Sequence, residues 1–269
     1  MIIDMHSHVF PSEYLSEKNQ GWAASADEHY KGTSKADKVI VFGMYAPFCG
    51  ILVPNNYIAE YLKRDPDRLI GFMSVDPGDK NCIEEIERSK KDLGLKGIKL
   101  GPMYQDFHPS DRKLAYPVYE KAQELNLPII FHMGTTSIRE TRLRYTLPIS
   151  IEDIAHDFPN LKMVIAHLGS PWEADTIVLI RKQPNVYADI AALYYRPWQF
   201  YNSLRLATEY KVMDKLLFGS DFPATTVEDT IKGLFDICDL ADRAKLPPIQ
   251  REDVLAIINR NSLKLLGIE

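Results

Sequence analysis

Short apolar runs rich in Val, Ile, Leu and Phe recur along the chain, and in the intervals between them apolar residues fall at helical spacing. The runs predict eight strands: MIIDMHSH (1–8), KVIVFGM (38–44), RLIGFMSV (68–75), LKGIKL (95–100), LPIIFHMG (127–134), KMVIAHLG (162–169), NVYADIA (185–191) and KLLFGSD (215–221). Strands buried on both faces of a parallel sheet read in this way, as nearly continuous apolar stretches. Helix signals occupy the intervals. PNNYIAEYLKRDP runs into an Asp-Pro stop, and IEEIERSKKDLG carries Ile83, Ile86 and Leu93 near one face before Gly94. Pro117 suits a first helical position, and Ser150 with Asp153 three residues on reads as a helix N-terminus. TVEDTIKGLFDICDLADRA follows the eighth strand, and EDVLAIINRNSLKLLG closes the chain.

Strands alternating with helices from end to end predict an α/β protein, a single-domain (β/α)8 TIM barrel over residues 1–269, close to the roughly 250 residues such barrels use. An open doubly wound sheet is the alternative, and it lacks the Gly-rich turn that would follow the first strand. Residues 11–37 break the pattern, polar and aromatic by turns, and are expected to form a lid or substrate loop.

Composition narrows the function classes. A formal net charge of −5 argues against a surface built to bind nucleic acid. The longest apolar stretch, VIVFGMYAPFCGILVP, is interrupted by Gly43, Pro47 and Gly50, and no basic leader precedes an apolar core, so a cytoplasmic protein with no membrane partner is expected. Cys49, Cys82 and Cys238 are scattered without CxxC spacing, which leaves nitrogen and oxygen donors for any metal.

Barrel chemistry sits at the C-terminal ends of the strands, and the polar residues of this chain gather there. Asp4, His6 and His8 alternate along the first strand and are expected on one face, with Ile3, Met5 and Val9 on the other. His132 ends the fifth strand, His167 the sixth and Asp221 the eighth, each in an apolar run and each followed by small or turn-forming residues. A lone histidine in such a run is commonly a hydrogen-bonded core residue. Four at strand ends with an aspartate are a cluster. His29, His108 and His156 stand in a loop, a polar turn and a helix, and are expected at the surface.

The ordered set DMHSH, FHMG, AHLG and GSDFP resembles the amidohydrolase superfamily, within it the branch containing aminocarboxymuconate semialdehyde decarboxylase, resorcylate-type decarboxylases and many metal-dependent hydrolases. The segments GIKLGP, FPNLKMVIAHLGS and NRNSLKLLG add to the likeness, which covers the whole chain. The resemblance implies that His6, His8, His132 and Asp221 bind one divalent metal, and that His167, unligated, is an acid/base group beside it. Three imidazoles and a carboxylate suit zinc, with manganese or iron as alternatives. Asp4 would support a histidine from one pleat deeper, or else is a buried polar residue at the barrel floor. Lys99 stands where binuclear relatives place a carboxylated bridging lysine, or else lines the barrel mouth as a fixed positive charge.

Two reactions fit those groups. A metal-activated water would hydrolyse a small amide, lactone or ester, with Asp221 taking a proton, or the same groups would protonate the carbon of an unsaturated or aromatic acid losing CO2. A catalytically inactive barrel acting as a binding protein is the third reading. Arg139 and Arg196 are candidates to clamp a carboxylate, and Tyr104 and Trp172 to line the mouth, so the expected partner is a small organic acid or cyclic ester or amide. A homodimer is expected only by analogy with similar proteins.

Overall fold

The computed structural model describes residues 1–269. Eight parallel strands follow the predicted order: β1 (Ile3–His8), β2 (Lys38–Phe42), β3 (Leu69–Gly71 and Met73–Ser74, interrupted at Phe72), β4 (Ile98–Leu100), β5 (Ile129–Phe131), β6 (Met163–Ile165), β7 (Val186–Asp189) and β8 (Leu216–Leu217). One sheet joins β1, β2 and the first half of β3, and the second half of β3 continues through β4 to β8. Two seams connect these sheets. At β3, Phe72 N–H donates to Val41 O at 3.0 Å and Met73 N–H to Gly97 O at 2.9 Å. Beyond β8, Met5 N–H donates to Phe218 O at 2.9 Å, Asp221 N–H to His6 O at 2.7 Å, and His8 N–H to Phe222 O at 2.7 Å. Hydrogen bonding therefore returns from the last strand onto the first. Residues 1–269 form one (β/α)8 barrel.

The helices are α1 (Ala26–Gly32), α2 (Asn55–Leu62), α3 (Cys82–Lys91), α4 (Tyr116–Glu124), α5 (Ile151–Asp157), α6 (Glu173–Lys182), α7 (Pro197–Glu209), α8 (Val227–Ala244), α9 (Arg251–Ile258) and α10 (Ser262–Leu266). None is long and apolar enough to cross a membrane. One apolar cluster lies between strands and helices, with Val39, Ile98, Ile129, Phe131, Met163 and Ile165 turned toward Ile86, Tyr119, Ile177 and Leu234. A second fills the barrel with Ile3, Met5, Ile40, Phe42, Ile130, Val164 and Leu217, and α10 packs Leu263 and Leu266 into it. Along β5 and β6 the alternation is strict, Ile130 and Val164 inward and their neighbours outward, as a pleated strand requires.

Three local expectations are corrected. In β1 the register against β2 shifts between Asp4 and Ser7, which is a bulge. Ile3 and Met5 pack in the inner cluster, against the Phe42 whose ring lies 5.1 Å from that of His6, so the expected two-faced alternation fails at the bulge. The carboxylate of Asp4 turns to backbone and hydroxyl donors, taking His6 N–H, Ser220 N–H and Ser220 Oγ–H. Burial pushes this carboxyl up to about 6. Ser150 precedes α5 but makes no cap, because its hydroxyl donates to Leu147 O inside a short 3-10 turn.

His29, expected at the surface, is fully buried, whereas His108 and His156 are exposed. Residues 11–37 contain two 3-10 turns, Ser12–Tyr14 and Glu17–Trp22, and then α1, whose capping box is closed by Ser25 and Glu28. The first part reaches the barrel mouth, where Leu15, Asn19 and Trp22 line a cavity. The helix is wedged behind β1.

Candidate metal centre

The predicted strand ends overshoot the hydrogen-bonded ladders, for the chain leaves the sheet as it delivers its polar residues. β5 stops at Phe131, one residue before His132, and β6 stops at Ile165, two before His167. Four residues near the mouth have left-handed backbones without being glycine: His167 (φ 55°), Leu168 (φ 49°), Ala192 (φ 54°) and Asp221 (φ 62°). Such conformations cost about 1–3 kcal/mol each and persist where the surroundings dictate them. For His167 the dictation is visible, since its N–H donates to Asp189 Oδ1 at 2.8 Å. Gly134, two residues after His132, has φ 112°, and a Cβ there would lie 2.4 Å from Ser170 O, so only glycine lets these two loops meet.

Three donor atoms form a near-equilateral triangle. His6 Nε2 is 3.2 Å from His8 Nε2 and 3.2 Å from Asp221 Oδ1, and His8 Nε2 is 3.3 Å from Asp221 Oδ1. Metal–donor bonds of about 2.1 Å at octahedral to tetrahedral angles separate adjacent donors by about 3.0–3.4 Å, so this triangle has the size of one face of a metal site. The ring of His6 is oriented from behind as well. His6 Nδ1 donates to Asp189 Oδ2 at 2.8 Å, so in the neutral imidazole the lone pair is on Nε2. That lone pair faces positive charge, for Lys99 Nζ lies 3.1 Å away, above the Phe42 ring. The donors present thus fit a divalent cation. Gly219 makes room, as a Cβ at that position would come within 2.9 Å of His6 Cβ.

Titration favours the charge state a cation needs at Asp221, His8 and His132 and works against it at His6. Burial alone would raise the carboxyl of Asp221, but the facing His167 and His6, with hydrogen bonds from His6 and His8, hold it well below the usual carboxylate range. Burial depresses His8 to about 3, drives His132 well below its ordinary value and lowers His167. His6 is raised: burial and Lys99 pull it down, and Asp189 with Asp221 overcome them. Burial brings Lys99 down to about 8.

His132 stands beside the triangle rather than in it, its Nε2 3.2 Å from the Tyr104 hydroxyl and its ring 5.0 Å from that of His167. His167 completes the group, ring centroid 4.7 Å from that of His6. Its Nδ1 donates to Ala191 O at 3.0 Å, so its Nε2 carries the free lone pair. Asp189 escaped the sequence reading. Fully buried at the end of β7, it accepts from His6 Nδ1 with one oxygen and from the backbone N–H groups of His167 and Ala191 with the other. The available signal was an acid in the apolar run NVYADIA at the same strand end as the histidines.

Above these groups opens a cavity of about 360 Å³. Phe10, Leu15, Trp22, Met44, Ile51 and Leu193 give it apolar walls, Thr135, Thr136, Ser137 and Ser170 supply hydroxyls, and Arg196 is its one cationic side chain. Tyr104 also lines it. Arg139 and Trp172 are not among the lining residues: Arg139 is exposed beyond Ile138, and Trp172 is taken up by the turn into α6, its N–H donating to Gly169 O.

One consequence is testable on metal affinity alone. Asp189→Asn keeps the shape and removes the negative acceptor behind His6, a change that typically costs about 10–100-fold in metal affinity. A zinc competition titration should show a loss of this size; an unchanged constant would deny Asp189 its orienting part.

Comparison with known proteins agrees with this architecture. A family model described as amidohydrolase matches residues 3–268. The 2-amino-3-carboxymuconate-6-semialdehyde decarboxylase of Dictyostelium discoideum is 25% identical over 52% of the chain, which spans only 43% of that relative. A 2-keto-4-carboxy-3-hexenedioate hydratase of Sphingobium sp. is 26% identical, covering 91% of this chain and 92% of the hydratase. Among solved structures, a probable 2-pyrone-4,6-dicarboxylic acid hydrolase from Acinetobacter baumannii, with citric acid bound, aligns over 99% of both chains at TM-score 0.72 and 18% identity, a likeness of fold.

Proposed function

The chain belongs to the amidohydrolase family, a family of enzymes, and from that premise we propose that it is a metal-dependent hydrolase of a small amide, lactone or ester of an organic acid. The observation that carries this reading is the triangle of His6 Nε2, His8 Nε2 and Asp221 Oδ1, with the free Nε2 of His167 beside it. In this reading His6, His8 and Asp221 hold one divalent ion, and His132, on the same cavity wall, is the fourth protein ligand. The nitrogen-rich donor set favours zinc over manganese or iron. Lys99 serves as a fixed positive charge rather than a bridge, in keeping with its place against His6 and Phe42.

When bound, such an ion polarises a carbonyl and makes water more acidic. The chain's own groups do the rest. Asp221, ionised and partly open to the cavity, accepts the proton of the attacking water. His167 Nε2 then takes that proton from Asp221 and delivers it to the leaving group, while Ala191 O keeps its ring in one tautomer. Arg196 at the mouth pairs with a substrate carboxylate, and the apolar walls accept a flat ring.

Loss of CO2 from an unsaturated or aromatic acid is the second reading, favoured by the relative named as a decarboxylase. The two part on product. Zinc-loaded protein is assayed against lactones, cyclic amides and esters of small organic acids, and against benzoate-like and muconate-like acids with CO2 measured. Ring opening or ester cleavage without CO2 is the expected result, and CO2 release with no hydrolysis would replace the first reading by the second.

A further inference from the structure

Behind the triangle, on the side away from the cavity, α1 touches both segments that carry the three donors. His29 reaches Ser7, the residue between His6 and His8: its Nε2 lies 2.9 Å from Ser7 Oγ. The direction of that bond is settled by its neighbours. Ser7 Oγ donates its proton to Ile40 O at 2.7 Å, so it must accept from His29 Nε2–H, and His29 Nδ1 then accepts from the Tyr61 hydroxyl at 2.8 Å. Ser7 is also where β1 regains register with β2 after the bulge. One turn further along α1, Gly32 lies under Phe222, the residue after Asp221, and a Cβ there would come within 2.2 Å of the ring. The same ring meets the edge of His29 at a centroid distance of 5.6 Å. The helix is itself held, since Arg68 donates to Thr33 O and Thr33 Oγ1 donates to His29 O at 2.8 Å.

We propose that α1 is a positioning element for the metal triangle, setting the spacing of His6 and His8 through the His29–Ser7 hydrogen bond and the placement of Asp221 through the Gly32–Phe222 contact. This rests on the reading of the triangle as a metal site. His29 and Gly32 touch neither metal nor substrate in that reading. Their effect travels through one hydroxyl and one ring, over a distance short enough that a shift of a few tenths of an ångström reaches the donors. The segment 11–37 therefore joins the two ends of the site, lining the cavity with its 3-10 turns and bracing the donors with its helix.

The test measures zinc affinity by competition with a chromophoric chelator, with thermal unfolding recorded alongside. His29→Ala and Ser7→Ala are each expected to weaken zinc binding about tenfold, at the lower end of what outer partners of metal ligands contribute. The double variant should lose less than the product of the two single losses, because both break the His29–Ser7 bond. His29→Gln, which keeps a donor near the Nε2 position, should return to within about threefold of the unaltered protein. Gly32→Ala should weaken zinc although alanine is the better helix former, a combination that a purely structural role for α1 would not give. Tyr61→Phe removes the other bond of His29 and should lower the unfolding temperature with zinc affinity kept. Folded His29→Ala, Ser7→Ala and Gly32→Ala proteins that bind zinc as tightly as the unaltered chain would overturn the proposal. An unaltered chain that takes up no zinc would overturn the metal reading itself and the proposal with it.

Discussion

Asp221→Asn protein is expected to lose both its bound divalent ion and its turnover. The substitution suits the question because it leaves the backbone alone: residue 221 has φ 62°, and asparagine tolerates the left-handed region as well as aspartate does. What changes is charge. Asp221 is the only carboxylate at the triangle, 3.2 and 3.3 Å from two imidazole nitrogens, and the surrounding cationic and imidazole groups hold it ionised. An amide oxygen in its place loses the Coulombic attraction to a divalent ion and the ability to accept a proton. The first loss is worth several kcal/mol, on the order of a thousandfold in affinity. The second removes a factor of about 10²–10⁴ from the rate even in whatever fraction stays loaded. Elemental analysis after gel filtration reads the first, and turnover at saturating zinc reads the second. A variant holding one equivalent of metal at the unaltered rate would leave the proposed chemistry without its base.

The site was legible where its chemistry interrupts an apolar run. His132, His167 and Asp221 stand in strands that would otherwise be continuous Val, Ile, Leu and Phe, and the barrel prediction gave those interruptions a common end. Asp189 interrupts β7 in the same manner, so it was readable in principle. What hid it is that its worth depends on a contact 183 residues away, with His6 Nδ1, which no local pattern encodes. Asp4 shows the converse. Its spacing from His6 and His8 promised a shared face, and a single bulge cancelled the promise, because period-2 alternation holds only while the ladder is unbroken. His29 was unreadable for a third reason. It lies in a polar, irregular segment that looks solvated, and only packing against β1 and Phe222 buries it.

These misses share a physical cause that bears on how the site works. Interior positions were predicted from the average behaviour of strands, whereas the donors are brought together by departures from it: the bulge in β1, the left-handed residues 167, 168, 192 and 221, and the glycine at 134 where two loops nearly touch. Three of these departures are tied down by hydrogen bonds to other elements: His167 N–H on Asp189, Asp221 N–H on His6 O and Gly134 N–H on Thr146 O. The left-handed residues 167 and 221 are thus held in place by bonds that other strands supply.

In the proposed mechanism His167 is the residue that moves the proton, and His167→Asn isolates it. Asparagine accepts the left-handed backbone at φ 55°, and its side-chain amide can still donate to Ala191 O, as Nδ1 does at 3.0 Å. Missing is the Nε2 lone pair. Zinc content and unfolding temperature should therefore stay near those of the unaltered protein while kcat falls by about 10²–10⁴. The pH profile adds a second reading. Burial holds His167 below its ordinary value of 6.5, and a bound divalent cation nearby would push it the same way. A group that must be unprotonated to work loses activity as pH falls through its pKa, so the acid limb of the unaltered protein should lie below pH 6.5. In His167→Asn that limb should vanish from the residual activity. If instead the variant turns over at the unaltered rate with the limb in place, the titrating base is another group, and Asp221, ionised well below the usual carboxylate range, would have to carry the proton alone.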